Sequence, residues 1–263
     1  MVRGLYTAAA GALVAQSQAD VIANNLANVN TSGFKQTLLQ VASAPEMGVY
    51  RFQTEPGQDS GKRTPGIPTQ QYVGALGTGS QVYDTPAQFG QGALEQTGND
   101  LDLAIQGDAF FAVQTPAGVR YTRDGQFARG PQGDLVTMDG NRVLGRNGPI
   151  VLPPGEIHIG SDGSIAAGAR QVDQLRVVQF ANLSALRPEG DNHFADTGAA
   201  RPALATTSTV NQGFLEKSNA NVVRSMVDLI TAQRWFEANE KVIQTEDQAT
   251  GLVIANVGRS TGQ

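Results

Sequence analysis

The sequence predicts an α+β fold. Two long terminal helices pair as a coiled coil, with a central, mostly antiparallel β domain of short strands between them. Three observations predict it. At the N-terminal end, apolar residues recur at alternating steps of three and four. At the C-terminal end, a long stretch keeps a helical period with no Pro after Pro202 and no Gly between Gly213 and Gly251. Between the two, the period shortens to that of strands, and Asp-Gly dipeptides separate short β-rich runs.

The first helix is expected from Gly4 to Asn28. Leu5, Ala8, Ala12, Ala15, Ala19, Ile22, Leu26 and Val29 form a heptad seam, made mostly of Ala, that lets a partner backbone approach closely. So narrow a stripe needs a partner to bury it. The helix stops at an Asn cluster, Asn24, Asn25, Asn28 and Asn30, followed by Ser32, Gly33 and Phe34. Asn and Ser bond back to the backbone and Gly33 can take a positive φ, so a turn follows. Four Asn in seven residues is more than a stop signal needs, and Asn24, Asn25 and Asn28 are expected to bond both to the helix end and to neighbours.

Residues 36–92 are punctuated by Pro45, Pro56, Pro65, Pro68 and Pro86 and read as extended connections with isolated strands near Val49 and Val82. A β domain follows over 93–182. Leu101–Ile105 and Ala109–Val113 read as a pair across Gly107-Asp108, and Val119–Thr122 and Gln126–Ala128 flank Asp124-Gly125. Leu135–Thr137 and Arg142–Leu144 flank Asp139-Gly140, while Ile157–Ile159 and Ser164–Ala166 flank Asp162-Gly163. Val172–Phe180 reads as one longer strand, and 183–212 as a polar connection. The final segment, 213–263, carries a helix from Asn219 to about Val257, roughly 45 Å or more at 1.5 Å per residue. Its expected seam is Val222, Met226, Leu229, Phe236 and Ile243.

Composition narrows the function. The chain has 263 residues, 40% hydrophobic and 16% charged, with 31 Gly, which fits many turns and polar surfaces better than a dense enzymatic core. A net charge of −5 gives no reason to expect nucleic acid or an anionic membrane as a partner. The absence of Cys excludes disulfides, thiolate catalysis and Cys-ligated zinc. No apolar run reaches the roughly 18 residues of a membrane span. Arg3 and Ala8–Ala10 mimic a cleaved signal, but the heptad runs straight through them, so no cleavage is expected.

No catalytic, cofactor or metal site is expected. His158 and His193 have no ligand partners at suitable spacing. Gly57 to Thr64 has three residues between its glycines instead of four, and Arg63 where a phosphate loop needs Ser or Thr. Gly74, Gly77 and Gly79 stand in reversed order for a dinucleotide fingerprint. An apolar helical stripe is usually core within its own domain. Here the narrow Ala seam, the two long ends and the Gly-rich middle favour packing between copies.

Three stretches resemble the flagellar basal-body rod and hook protein family. They are Asp20 to Lys35, Gln91 to Phe111, and Gly213 to Val223 with its continuation through Met226, Asp228, Arg234, Phe236 and Asn239. Ala109 stands where Gly is usual and Ala220 where Val is usual, while 36–92 matches poorly. The resemblance implies a structural, non-enzymatic subunit of the proximal or distal rod. Such a subunit is exported unfolded by the flagellar type III apparatus and assembles in the cell envelope into a hollow shaft that carries torque. Its implied partners are copies of itself, related axial proteins and the export apparatus. The expected assembly surface comprises Leu5, Ala8, Ala12, Ala15, Ala19, Ile22, Asn24, Asn25, Leu26, Asn28, Gly33, Phe34, Val222, Met226, Leu229, Phe236 and Ile243. The alternative is an extracellular binding or adhesive module on a helical stalk.

Overall fold

The structure, a computed structural model, describes residues 2–54, 68–168 and 170–260. The phosphate-loop mimic at 57–64 lies outside the described residues. The chain divides into two compact units. The first comprises Met1–Asp20, Leu39–Asp84 and Leu229–Gln263, and the second Val21–Leu38 and Thr85–Asp228.

Helix α1 (Val2–Ala27) begins in the first unit. Ala8, Ala12 and Ala15 of the expected seam are buried there, with Leu5 and Ala19 half-buried. Two small strand pairs accompany it. β1 (Gln40–Ser43) pairs antiparallel with β4 (Ser80–Asp84), and β2 (Met47–Thr54) with β3 (Pro68–Leu76). Tyr50 and Tyr72 meet edge to face across the second pair, 5.6 Å between centroids. Among its described residues the expected irregular stretch therefore holds four strands.

Helix α2 (Val222–Ser260) is capped by Asn221, whose Oδ1 accepts from the Arg224 amide at 3.0 Å. Its covered stripe is Ser225, Leu229, Ala232, Phe236, Asn239, Ile243 and Glu246, again in steps of four and three. In the first unit glycines of α1 face polar side chains of α2. A methyl on Gly4 would lie 2.8 Å from Glu246 Oε1, and one on Gly11 2.9 Å from Asn239 Oδ1. Seven residues forward on α1 match seven backward on α2, so the helices run antiparallel here. Val222 and Met226, expected in this seam, are 37% and 49% exposed. At 100° per residue Met226 lies about 100° from Ser225 and about 60° from Leu229, off the stripe; Val222, one heptad before Leu229, lies on it and is uncovered as the first residue of the helix.

The second unit is the β domain. Its strands are β5 (Leu94–Gln96), β6 (Leu103–Gln106), β7 (Ala109–Thr115), β8 (Gly118–Thr122), β9 (Phe127–Arg129), β10 (Leu135–Thr137) and β11 (Arg142–Val143). They continue with β12 (Ile157–Ile159), β13 (Ser164–Ala167), β14 (Arg170–Gln174), β15 (Val177–Phe180), β16 (Leu186–Gly190), β17 (His193–Asp196), β18 (Pro202–Leu204), β19 (Thr209–Gln212) and β20 (Phe214–Glu216). The main sheet runs β16-β17-β8-β7-β11-β10-β9, with β15 also on β7 and β18 on β15. β7 is central, and its Ala109–Val113 run is buried on both faces. Ala109, Phe111 and Val113 enter a core with Leu103, Leu135 and Ile165, while Phe110 and Ala112 enter another with Phe180 and Phe194. Period-2 alternation thus feeds two cores from one strand.

The Asp139-Gly140 and Asp162-Gly163 turns join antiparallel pairs, β10 with β11 and β12 with β13. Four other expectations are corrected. β6 and β7 do not pair, since both edges of β7 are taken by β8 and by β11 with β15, and β6 pairs with β19 instead. β8 and β9 likewise pair with other strands around Arg123–Gly125. Val172–Phe180 is broken between β14 and β15, in different sheets. The polar stretch 183–212 is largely strand, supplying β16 to β19.

Candidate functional site

The chain after α1 turns through Gly33, which has φ +65° and packs so tightly that an added methyl would fall 2.3 Å from the Asp124 amide nitrogen. Only Gly accepts both constraints. Its amide donates to the Glu216 carbonyl at 2.7 Å, which docks the turn on β20. Two residues on, the fully buried Lys35 Nζ meets Glu216 Oε1 at 2.6 Å and donates to the Gly90 carbonyl at 2.9 Å. The other Glu216 oxygen takes Arg123 Nη1 at 3.4 Å, and the Gly92 amide donates to Oε1 at 2.7 Å. Arg123 also stacks over Phe110, 4.8 Å from the ring centroid.

One carboxylate therefore ties together the Asn-rich turn, the loop before β5, the β8 end and β20. Two cations share this one bonded anion, with Asp108 adding a longer-range attraction to each. Burial lowers the pKa of Lys35 from its ordinary 10.5, against the opposing pull of Glu216, and lowers that of Arg123 for the same reason. Arg123 Nε has no hydrogen-bond partner among the described residues. Such a cluster adds little net stability over a well-packed apolar one, but removing one member strands the others at high cost.

Two asparagines reinforce the junction. Asn25 is buried; its Nδ2 donates to the Thr37 carbonyl at 2.8 Å and its Oδ1 accepts from the Thr37 amide at 2.9 Å. Asn219 accepts from the Gln36 amide at 2.8 Å and donates to the carbonyls of Gln88 and Gly90. Each side chain replaces a strand partner for backbone that pairs irregularly. Asn25 is thus consumed within its own chain and is not free to reach a neighbour, contrary to expectation. Asn28 donates to the Asn24 carbonyl at 2.9 Å, as a helix end requires, while the Asn24 side chain is exposed. Ile22, Leu26 and Phe34 are half-buried, as are Leu229, Phe236 and Ile243. Lys35, Arg123, Glu216 and Asn219 were missed as site residues. Lys35, Glu216 and Asn219 lie inside the recognised motifs, but nothing local in their spacing pairs them.

Among the described residues, no group of three or more His, Asp or Glu side chains is arranged to hold a metal, and no helix is long and apolar enough to cross a membrane. Paired terminal helices and a β unit fastened to the helix motif by a buried charge cluster define a structural chain of the axial type. Family descriptions match each part. "Flagella basal body rod protein" covers residues 5–35, "Flagellar hook protein FlgE/F/G D1 domain" 104–167, and "Flagellar basal body rod FlgEFG protein C-terminal" 211–254. The chain is 35% identical to the flagellar basal-body rod protein FlgG of Buchnera aphidicola subsp. Baizongia pistaciae, over 94% of this chain and 97% of that one. It is 36% identical to FlgG of Agrobacterium fabrum over 97% and 99%, and 33% identical to the rod protein FlgF of Caulobacter vibrioides over 98% and 99%. The chain belongs to the flagellar basal-body rod protein family.

Proposed function

We propose that this rod-family subunit works by assembly. Its terminal helices pair as an antiparallel coiled coil, and further copies or related axial proteins add to the faces left open, building a hollow shaft that carries torque to the hook. The observation that carries the reading is a second apolar face on each helix. α1 exposes Tyr6 and Leu13, seven residues apart, and α2 exposes Val222, Val223, Met226, Val227 and Ile230. Burying a large apolar side chain contributes roughly 1.5–3 kcal/mol, so copies that cover these faces gain substantially over the lone chain. Met226 then belongs to this outer face and Val222 to its edge, and Leu5, Ala8, Ala12, Ala15, Ala19, Leu229, Phe236 and Ile243 to the inner seam. We assign residues 93–182, with the strands of 183–212, to an outward-facing body. Export is by the flagellar type III route, with Ala8–Ala10 serving helix packing.

The test is a Val223→Glu, Ile230→Glu double variant of the full chain. Sedimentation should show loss of polymer with unchanged hydrogen-exchange protection in β7, and cells carrying it should not swim. Normal swimming and normal polymer would overturn the assembly reading. Normal swimming after deletion of the whole gene would favour the adhesive module.

A further inference from the structure

The chain has one Asn-Gly pair, Asn147-Gly148, and three Asp-Gly pairs, at Asp124, Asp139 and Asp162. In such a pair the glycine nitrogen can close on the side-chain carbonyl carbon before it, and Gly hinders this least because it has no Cβ. In the three Asp pairs the reacting groups are held. The Gly140 amide donates to the Thr137 carbonyl at 2.9 Å and the Gly163 amide to the Gly160 carbonyl at 2.8 Å. Asp124 Oδ1 accepts from Ser32 and Gln126, and an added methyl on Gly125 would fall 1.6 Å from the Leu103 carbonyl oxygen. An ionised carboxylate is also a far weaker electrophile than a carboxamide.

Asn147-Gly148 differs on each count. It lies in the turn after β11, where the Gly148 carbonyl accepts from the Gly145 amide at 2.7 Å, but the Gly148 amide itself donates to no group among the described residues. Gly148 has φ +123°, and an added methyl there would meet nothing within 4 Å. Asn147 is exposed to water. Its Nδ2, the group that would leave, donates to Asp173 Oδ1 at 3.0 Å.

We infer that Asn147 is a site of spontaneous deamidation, and that the reaction is a one-way charge switch inside the β unit. The Gly148 nitrogen bonds to Asn147 Cγ and gives up its proton, the Cγ–Nδ2 bond breaks, and Nδ2 takes that proton and leaves as ammonia. Water then opens the succinimide at either carbonyl, giving aspartate or isoaspartate at position 147. The change replaces a donor to Asp173 by a second carboxylate that can only accept. Asp173 has little room to turn away, because its Oδ2 already lies 2.5 Å from where a methyl on Gly145 would stand. The repulsion falls on a joint between two sheets. There the Arg146 amide donates to the Gln174 carbonyl at 2.9 Å and the Arg176 amide to the Leu144 carbonyl at 3.0 Å, with the core residue Leu175 between. The inference does not depend on the assembly reading.

The test ages the full-length chain in warm, mildly alkaline buffer, folded and in urea, and maps its peptides by mass spectrometry. In the folded chain the peptide carrying residue 147 should be lost to two products, each with a hydroxyl in place of the amine. One of them should be a substrate for an isoaspartate methyltransferase, and the three Asp-Gly peptides should lag behind. If the residue 147 peptide persists in the folded chain, whether or not it converts in urea, the deamidation site is refuted. The switch is read separately in Asn147→Asp. Hydrogen-exchange protection of the Arg146 and Arg176 amides should fall about tenfold, the scale of two like charges a few ångströms apart near a protein surface, and partly return in high salt. Protection equal to that of the wild type would overturn the switch.

Discussion

Replacing Glu216 by Gln isolates the buried charge cluster, because it removes the anion and keeps the shape. In the wild type, Glu216 receives Lys35 at 2.6 Å, Arg123 at 3.4 Å and the Gly92 amide at 2.7 Å, with all three charged side chains essentially out of solvent. The Gln variant leaves two buried cations without their bonded anion, with Asp108 acting on them only by longer-range attraction, and its amide turns a donor towards groups that are themselves donors. Breaking a buried pair costs about 3–5 kcal/mol, and the second cation puts this site towards the upper end. That is a large share of the roughly 5–15 kcal/mol that holds a typical domain. Because the chain has two units, one unfolding midpoint is a poor measure. Native-state hydrogen exchange of β7 and β6 reads the β unit directly, and protection there should fall by about two to three orders of magnitude, since each 1.4 kcal/mol is tenfold. The apolar triple variant Lys35→Met, Arg123→Leu, Glu216→Leu should recover most of the loss. A cost below about 1 kcal/mol for Glu216→Gln would refute the reasoning, since an exposed pair is worth that little.

Asp124 gives a pH prediction. Burial, opposed by the Ser32 and Gln126 hydrogen bonds, raises its pKa above the ordinary 3.8. The folded state then holds the proton more tightly than the unfolded state, so this group's penalty is present at neutral pH and is relieved as pH falls through the raised value. Asp124→Asn removes that term, so the wild type should gain stability relative to the variant on acidification; urea titrations at stepped pH would read it, and a constant difference would count against it. Asn25→Ala strands the Thr37 amide and carbonyl and should cost about 1–3 kcal/mol, measured by exchange at Thr37. Gly11→Leu drives a side chain into Asn239, where even a methyl meets Oδ1 at 2.9 Å. It should unpair the helices, seen as lost helical signal, while β7 protection is unchanged. A variant of normal helicity and melting would show that the two helices do not depend on this contact.

Much of the molecule is determined by the sequence itself. The Ala seam of α1, the uninterrupted length of α2 and the turns at Asp139-Gly140 and Asp162-Gly163 rest on short-range physics. Helical period, turn chemistry and hairpin closure depend on neighbours a few residues away, and these elements appear where the pattern puts them. Only the tertiary structure decides which strand takes which edge. Leu103–Gln106 joins Thr209–Gln212 from across the chain because the edges of β7 are already occupied. It also decides which face of α2 is covered, leaving Met226 outward while Ser225 turns in. The same holds for Lys35, Arg123 and Glu216, which are remote in sequence and carry no shared period. Their meeting depends on burial and on exclusion of water, which are properties of the assembled fold and of no single segment.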